Sequence, residues 1–285
     1  MRALITDLDN TLYDWVTFFA IAFDAMVNEL ARLLDTDRQS LLSQFKEIHR
    51  RYGSTETPWA ALELPAARLR FPNLSSAKLA GRLQPAFDAF TAARRDHLKL
   101  YPGVRDTLAA LTDAGVLIVG HTEALTVNAY HRLALLGITD YFTRLYALEG
   151  RTIEHPFPDR PHSVPPAPAD LIRTLPASER KPNRAVLLDI CRREELMPSE
   201  CSYVGDSLVR DVAMAKEAAV RAVWARYGTR CDPALWNLLV AVTHWTPADV
   251  AREAKFRETY RDVKPDQTID MFGEILDDAV TSKSA

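Results

Sequence analysis

The fold of this 285-residue chain is decided by the stretch ALITDLDNTLYDW, residues 3–15, in which a short apolar run ends in two aspartates one residue apart. Residues i and i+2 of a β-strand point to the same face, so the carboxylates of Asp7 and Asp9 are expected to converge. Neighbouring carboxylates repel each other unless a cation, a bound proton or wide solvation compensates. The pattern therefore predicts a functional acid pair at the end of a first strand, unless the stretch is a solvated turn instead.

Beyond residue 100, segments with helical periodicity alternate with short apolar runs, and Gly115 separates the first helix from the strand that follows it. Such alternation is typical of a doubly wound, mainly parallel sheet with helices on both faces. We therefore predict an α/β fold with a Rossmann-like core. The predicted helices are 104–114, 124–136, 184–196 and 208–219, and the predicted later strands are 116–120, 144–148, 201–206 and 220–225.

A long helical segment separates the first predicted strand from the second. Residues 18–34 and 41–52 place apolar side chains three and four positions apart. We predict a helical module over 15–99, an α/β core formed by 1–14 and 100–250, and a C-terminal extension over 251–285. An amphipathic stretch of that extension, 269–280, is expected to pack on the core or on a second subunit, so a homodimer remains open.

Composition and charge exclude several classes of partner. The chain has 35 Lys and Arg against 38 Asp and Glu, a net charge of −3, which gives no broad electrostatic footprint for nucleic acid polymers or anionic membranes. No apolar stretch approaches the length of a bilayer, and no signal-peptide pattern is present. Its three cysteines lack CxxC or zinc-ligand spacing, so we expect reduced thiols in a soluble, cytoplasmic protein.

Acidic side chains follow the predicted strands where each one ends. Asp7 and Asp9 follow the first, Thr122 follows the second, and Asp206 with Asp211 comes at the end of the strand that starts at residue 201. Ligands of open α/β sheets bind beyond the carboxyl ends of the strands, so these groups are expected to meet at one edge. The negative charge of such a cluster has to be compensated by a cation. Mg²⁺, which prefers oxygen ligands, is the natural one.

One lysine stands out near the same edge. Lys181 is the only lysine between Lys99 and Lys216, and it precedes the predicted helix that starts at residue 184. A lone cation at this place is suited to hold an anionic group of a substrate, although an exposed loop position is the alternative.

With these residues placed, the chain resembles the haloacid dehalogenase superfamily, specifically its phosphatase branch. DLDNT (7–11) matches the first motif of the family, Thr122 the second, Lys181 with its following proline the third, and GDSLVRD (205–211) the fourth. The resemblance covers residues 1–14 and 100–228. A single DxD pair is weak evidence, whereas four motifs in the family's order are specific. The helical module over 15–99 occupies the position of the family's cap domain, which closes over the substrate.

The resemblance assigns a catalytic role to four residues. Asp7 would attack phosphorus and form an aspartyl-phosphate, and Asp9 would protonate the leaving oxygen and then activate water. Thr122 and Lys181 would hold the phosphoryl oxygens during transfer.

The resemblance also implies a Mg²⁺ site. Asp7, Asp206 and the backbone carbonyl of Asp9 would bind the ion, and Asp211 would support it directly or through water. Glu123 departs from the family's pattern, because Asn or Asp usually follows the threonine of the second motif.

Residues 150–182 form a proline-rich insertion in the predicted core, since eight of the seventeen prolines lie between Pro156 and Pro182. Prolines exclude the interior of a regular sheet and favour extended, semi-rigid paths. We predict a long ordered loop with at most a short helix over 170–174. Residues 154–176 are expected to form a flap beside the mouth of the site.

The predicted function is Mg²⁺-dependent hydrolysis of a small phosphorylated metabolite, either a nucleotide or a sugar phosphate. A carbon–halogen hydrolase is the nearest enzymatic alternative, although that reaction needs no acid such as Asp9 and no metal site. A phospho-accepting signalling domain or a binding protein without catalysis would also fit the fold.

Overall fold

The computed structural model describes residues 1–151, 153, 155–157, 164–242, 251, 254–256 and 258–276 of the chain. Its centre is a parallel sheet. The strands of the described residues are β1 (Ala3–Thr6), β2 (Leu117–Leu125), β3 (Arg144–Leu148), β4 (Ile172–Leu175), β5 (Cys201–Gly205), β6 (Arg221–Ala225) and β7 (Gln267–Ile269). They are ordered β4–β3–β2–β1–β5–β6–β7, and each neighbouring pair is parallel. The predicted α/β fold is therefore confirmed.

β1 lies at the centre of this sheet. Ala3 pairs with Leu117 of β2 on one side and with Cys201 of β5 on the other. All residues of β1 and β5 are buried, which explains why both sequences are continuous apolar runs rather than alternating patterns. The strand order reverses at β1, so its carboxyl end is the switch point where doubly wound sheets bind ligands.

Four α-helices occupy residues 15–99, in the segment that follows β1. They are α1 (Trp15–Leu34), α2 (Arg38–Tyr52), α3 (Pro65–Arg70) and α4 (Ser76–His97), and α1 packs along α4. Asp14 caps α1 by accepting a hydrogen bond of 2.9 Å from the Thr17 amide. Phe23 is buried with its ring centroid 4.9 Å from that of Phe45, so the aromatic stripe of α1 forms an interior.

The remaining helices cover both faces of the sheet. Leu4 packs in one core with α5 (Val104–Asp113) and α6 (Thr126–Leu135), whereas Ile5 packs in a second core with α7 (Arg184–Arg193) and α8 (Ala213–Glu217). After β6, helix α9 (Pro233–Val242) returns to pack on α1 and α2. No described helix combines the length and apolar character required to cross a bilayer.

Two strands differ from the sequence-based expectation. The predicted helix over 170–174 is wrong, because Ile172–Leu175 form β4, which pairs with β3 at the edge of the sheet. An edge strand needs hydrogen bonds on one side only, so it tolerates prolines close by. β2 continues to Leu125 with a register shift after His121, which places Thr122 within the strand rather than after it.

The structure describes the proline-rich insertion and the C-terminal extension only in part. Residues 152, 154 and 158–163 of the proline-rich insertion, most of them in the predicted flap, lie outside the described residues. In the C-terminal extension, β7 completes the sheet, and Phe272 and Ile275 are buried in the core. The described part of the amphipathic stretch therefore packs on the core, and residues 277–280 lie outside the description.

Candidate active site

Asp7 stands directly after β1, at the carboxyl edge of the sheet. Its amide donates a hydrogen bond of 2.9 Å to the carbonyl of Val204 in β5, which continues the sheet pairing by one residue. Asp206 follows β5, and Asp211 lies in a π-helical turn formed by Leu208–Val212. Such turns occur often at functional sites because they redirect side chains. The parallel pairing of β1 with β5 thus brings acids about 200 residues apart in sequence to one point.

Three of the four predicted metal ligands converge there. Asp7, Asp206 and Asp211 each offer a carboxylate oxygen, and these oxygens lie within 4.8 Å of one another. Lys181 reaches the same point, with its Nζ 2.7 Å from Asp7 Oδ1 and 2.9 Å from Asp211 Oδ1. The Lys181 side chain is only 3% exposed and that of Asp211 only 2%, so solvent screens these charges weakly.

Burial dominates the electrostatics of this cluster. Burial raises the pKa of Asp7 to about 7, and although Lys181 lowers it, the charges of Asp211 and Asp9 raise it further. Burial, together with the charges of Asp211 and Asp7, also raises the pKa of Asp206 well above its usual value. Burial alone would lower the pKa of Lys181, but the carboxylates of Asp211 and Asp7 hold it well above its usual value. The lysine is therefore charged and only partly balances the acids.

This set of donors fits a magnesium ion. Three clustered carboxylates supply the hard oxygen ligands that Mg²⁺ prefers. An additional divalent cation would relieve the repulsion that, together with burial, raises the pKa values of Asp7 and Asp206. The cluster at the end of β1 and β5 is thus chemically suited to the predicted ion.

Two glycines near the cluster have no room for a side chain. A Cβ at Gly205 would overlap the carboxylate of Asp211, and a Cβ at Gly228 would overlap the carbonyl oxygen of Asn10. Gly205 belongs to the fourth motif, but the need for glycine at Gly228 is visible only in the structure. Both residues allow a close approach of backbone that a side chain would prevent.

The side chain of Asp9 belongs to a different set of contacts. Its Oδ1 accepts a hydrogen bond of 2.8 Å from the hydroxyl of Tyr13, and Arg132 Nη2 lies 3.3 Å from both carboxylate oxygens. Arg132 also donates a 2.8 Å hydrogen bond to Glu56 Oε1. The Asp9 carboxylate is not one of the three clustered groups, so only its backbone carbonyl remains a candidate metal ligand.

Thr122 is buried in β2, the strand next to β1, where its Oγ1 accepts a hydrogen bond of 3.1 Å from the amide of Ala124. The unusual Glu123 beside it pairs with Arg210, a residue of the fourth motif, at 3.1 Å. Both side chains are partly exposed, so the pair joins the second and fourth motifs at the rim of the site.

Tyr203, a buried residue that contacts the acid cluster, could not be identified from the sequence. The hydroxyl of Tyr203 lies 3.4 Å from Asp211 Oδ1 and 3.2 Å from Nδ1 of His121. Tyr203 sits within an apolar strand and looks like an ordinary core residue. Arg132 and Glu56 could not be identified for a similar reason, because single charged residues in helices and connecting segments usually face solvent.

Comparison with known proteins adds independent evidence. The sequence profile of haloacid dehalogenase-like hydrolases matches residues 1–219. Glyceraldehyde 3-phosphate phosphatase of Methanopyrus kandleri is 25% identical over 241 residues, which cover 81% of this chain and 87% of that protein. Ribulose-1,5-bisphosphate 5-phosphatase of Halopiger xanaduensis is 26% identical over 287 residues, which cover 96% and 98%. The crystal structure of a 2-haloacid dehalogenase from Pseudomonas syringae pv. tomato matches with a TM-score of 0.55 at 20% identity, with both chains fully covered. This last likeness shows a shared fold.

Proposed function

Because the chain belongs to the haloacid dehalogenase-like hydrolases, we propose that it is a Mg²⁺-dependent phosphomonoesterase that acts on a small sugar phosphate through a phosphorylated Asp7. The observation that carries this proposal is the cluster of Asp7, Asp206, Asp211 and Lys181 at the carboxyl end of the central strand. Both curated relatives described above are phosphatases. The names of these relatives and the chemistry of the site therefore support hydrolysis of a phosphate ester.

The metal would be held by the carboxylates of Asp7, Asp206 and Asp211 and by the backbone carbonyl of Asp9. When bound, Mg²⁺ supplies positive charge that reduces the repulsion between the nucleophile and the phosphate dianion. The 4.8 Å spread of the ligand oxygens supports this set.

The first half of the reaction uses Asp7 and Asp9. A carboxylate oxygen of Asp7 attacks phosphorus, a new O–P bond forms, and the bond from phosphorus to the ester oxygen breaks. Asp9 gives its proton to that oxygen, which leaves as an alcohol. Lys181 holds the ionised Asp7 at 2.7 Å and stabilises charge on the transferring group together with the hydroxyl of Thr122.

The second half regenerates the enzyme. The deprotonated Asp9 accepts a proton from water, the water oxygen attacks phosphorus, and the bond from phosphorus to Asp7 breaks. Inorganic phosphate leaves, with Asp7 again ionised and Asp9 again protonated. Asp9 is suited to both steps because its carboxylate is not one of the three clustered groups and so is not used as a metal ligand.

Substrate selection is assigned to the helical segment 15–99, which we propose is a cap, and to the proline-rich segment. Trp59 follows α2 and stacks edge-on against His155 at 4.3 Å and against Phe87 of α4 at 5.3 Å. On the other side, the hydroxyl of Tyr130 in α6 donates a 3.0 Å hydrogen bond to the carbonyl of Pro165. The proline-rich segment thus contacts both the proposed cap and the core. Contacts of this kind support the proposal that the segment borders the site.

The proposal is tested with purified protein on a panel of sugar phosphates, nucleotides and halogenated acids, with Mg²⁺ or with a chelator. We expect phosphate release from small sugar phosphates only when Mg²⁺ is present, and none from the Asp7→Asn variant. Hydrolysis confined to halogenated acids would point to the dehalogenase reaction. Stable phosphorylation without turnover would point to a phospho-accepting protein.

A further inference from the structure

We propose that Arg132 is a positioning residue for Asp9 and that Glu56, from the helical segment 15–99, holds Arg132 in place. This inference rests on the proposed function, in which Asp9 transfers protons. Nothing in the sequence motifs assigns a role to either residue. The two side chains nevertheless form the contacts that decide where the Asp9 carboxylate points.

Arg132 is a buried cation between two carboxylates. Its side chain is 2% exposed, and those of Asp9 and Glu56 are 24% and 15% exposed. An arginine is rarely buried unless it is paired, and the planar guanidinium can contact two acids at once. Here Nη1 donates to Glu56 at 2.8 Å, while Nη2 lies 3.3 Å from both oxygens of Asp9. The guanidinium also lies over the ring of Tyr13, 5.6 Å from its centroid.

These contacts orient Asp9. Its Oδ1 receives the Tyr13 hydroxyl at 2.8 Å, and the guanidinium fixes the rotation of the whole carboxyl group. A proton donor must lie within hydrogen-bond reach of the leaving oxygen, so a small rotation of Asp9 would weaken the transfer.

The contacts also cross from the core to the proposed cap. Arg132 belongs to α6, whereas Glu56 lies between α2 and the short helix Pro58–Glu63. Glu56 is itself held by the indole of Trp15, which donates at 2.7 Å. A second bridge lies beside it, where Asn128 of α6 donates to Ser54 at 2.9 Å. The orientation of Asp9 therefore depends on how residues 54–56 dock on α6.

The main test compares two esters in the Arg132→Lys variant. A lysine keeps the charge but cannot span Asp9 and Glu56 together. An alkyl phosphate needs its leaving oxygen protonated, whereas an aryl phosphate with an acidic phenol does not. The value of kcat/KM reports the steps up to departure of the leaving group. The ratio of kcat/KM for the alkyl ester to that for the aryl ester therefore isolates the proton transfer from Asp9 to the leaving oxygen. We expect the variant to lose about 10-fold or more on the alkyl ester and less than about 3-fold on the aryl ester.

Variants of Glu56 and a distant arginine give the controls. Glu56→Gln can still accept hydrogen bonds from Trp15 and Arg132, so it should keep the ratio of the two esters close to that of the wild type. Glu56→Leu cannot, and it should change the ratio as Arg132→Lys does. Arg144 begins β3 at the amino ends of the parallel strands, opposite the carboxyl ends where the site lies, and it is 3.7 Å from Glu194, so Arg144→Lys should leave both rates unchanged.

The results either support or overturn the positioning role of Arg132 and Glu56. Equal losses on both esters, or no loss on either, in folded Arg132→Lys and Glu56→Leu proteins overturn the positioning role while leaving the phosphatase proposal intact. If Arg132→Lys does not fold, a change of ratio in Glu56→Leu with rescue in Glu56→Gln supports the role, and an unchanged ratio in Glu56→Leu overturns it. A wild-type protein that hydrolyses neither ester removes the proposed function and this inference together.

Discussion

The Nζ of Lys181 lies 2.7 Å from Oδ1 of Asp7, and both side chains are almost excluded from solvent. These residues are 174 positions apart in sequence, and the sheet brings them together at the end of β1. The lysine therefore already orients the acid that we propose as nucleophile. Its charge also offsets part of the repulsion within the acid cluster, which links the stability of the site to its chemistry.

The Asp7→Asn substitution should remove turnover and raise the thermal midpoint of the metal-free protein at pH 8. The amide is similar in shape but a poor nucleophile. The pKa of Asp7 is about 7 in the folded chain against 3.8 in the unfolded one, so ionisation of Asp7 destabilises the fold as pH rises from 4 to 7. The gain in midpoint should therefore be larger at pH 8 than at pH 5, as measured by thermal unfolding in a chelator.

Asp189→Asn provides a matched control, because Asp189 pairs with Arg192 and Arg193 on an exposed face of α7. It should keep full activity and shift the midpoint little. Near-normal turnover of a purified Asp7→Asn protein would rule Asp7 out as the nucleophile.

Mg²⁺ should stabilise the protein more at pH 8 than at pH 5.5. Protons compete with the metal for carboxylates whose pKa values are raised, as they are for Asp7 and Asp206. Binding to the folded state raises the thermal midpoint by mass action. The measurement is the change in midpoint on adding Mg²⁺ at each pH, and the change should vanish in Asp206→Asn. An equal response at both pH values, or a normal response in Asp206→Asn, would contradict this ligand set.

Asp9→Asn should slow the alkyl ester far more than the aryl ester. The asparagine cannot donate the proton that a poor leaving group needs, a contribution of about 10²-fold or more. The comparison uses kcat/KM for both esters, and Asp106→Asn, an exposed change on α5, serves as the control. Equal losses on both esters would indicate that the Asp9 side chain does not transfer the proton to the leaving oxygen.

Gly205→Ala should weaken Mg²⁺ binding and activity, because its Cβ would overlap the Asp211 carboxylate. Gly81 lies inside α4 with open space at its Cβ position, so Gly81→Ala should keep activity and add about 0.5–1 kcal/mol of stability. Chemical denaturation and Mg²⁺ titration of both variants provide the measurements. Full Mg²⁺ affinity in Gly205→Ala would show that the position of Asp211 is unimportant for the ion.

Most of the fold could be predicted because its central strands are buried on both faces. β1 and β5 therefore read as apolar runs that end in acids, and the helices between them show clear periodicity. β4 was missed because prolines at 168 and 176 flank it, and an edge strand needs little sequence signal. Its neighbour β3 supplies the pairing that defines it, and that pairing is not local in sequence.

The candidate site was predictable where residue type and position coincide. Asp7, Asp206 and Asp211 stand at or near strand ends, so topology alone places them together. The side-chain direction of Asp9 was not predictable, because it depends on Arg132 from a distant helix. Arg132 occupies one turn of an amphipathic helix whose sequence gives no sign that this arginine is buried.

The most direct test of the central claim is the chemical identity of the covalent intermediate. Protein quenched in acid during turnover of a small sugar phosphate with Mg²⁺ is digested and analysed by mass spectrometry. We predict one added phosphoryl group on the peptide that contains Asp7, lost from that peptide in Asp7→Asn. A phosphoryl group on another residue, or active turnover with no phosphorylated peptide at any quench time, would contradict the account.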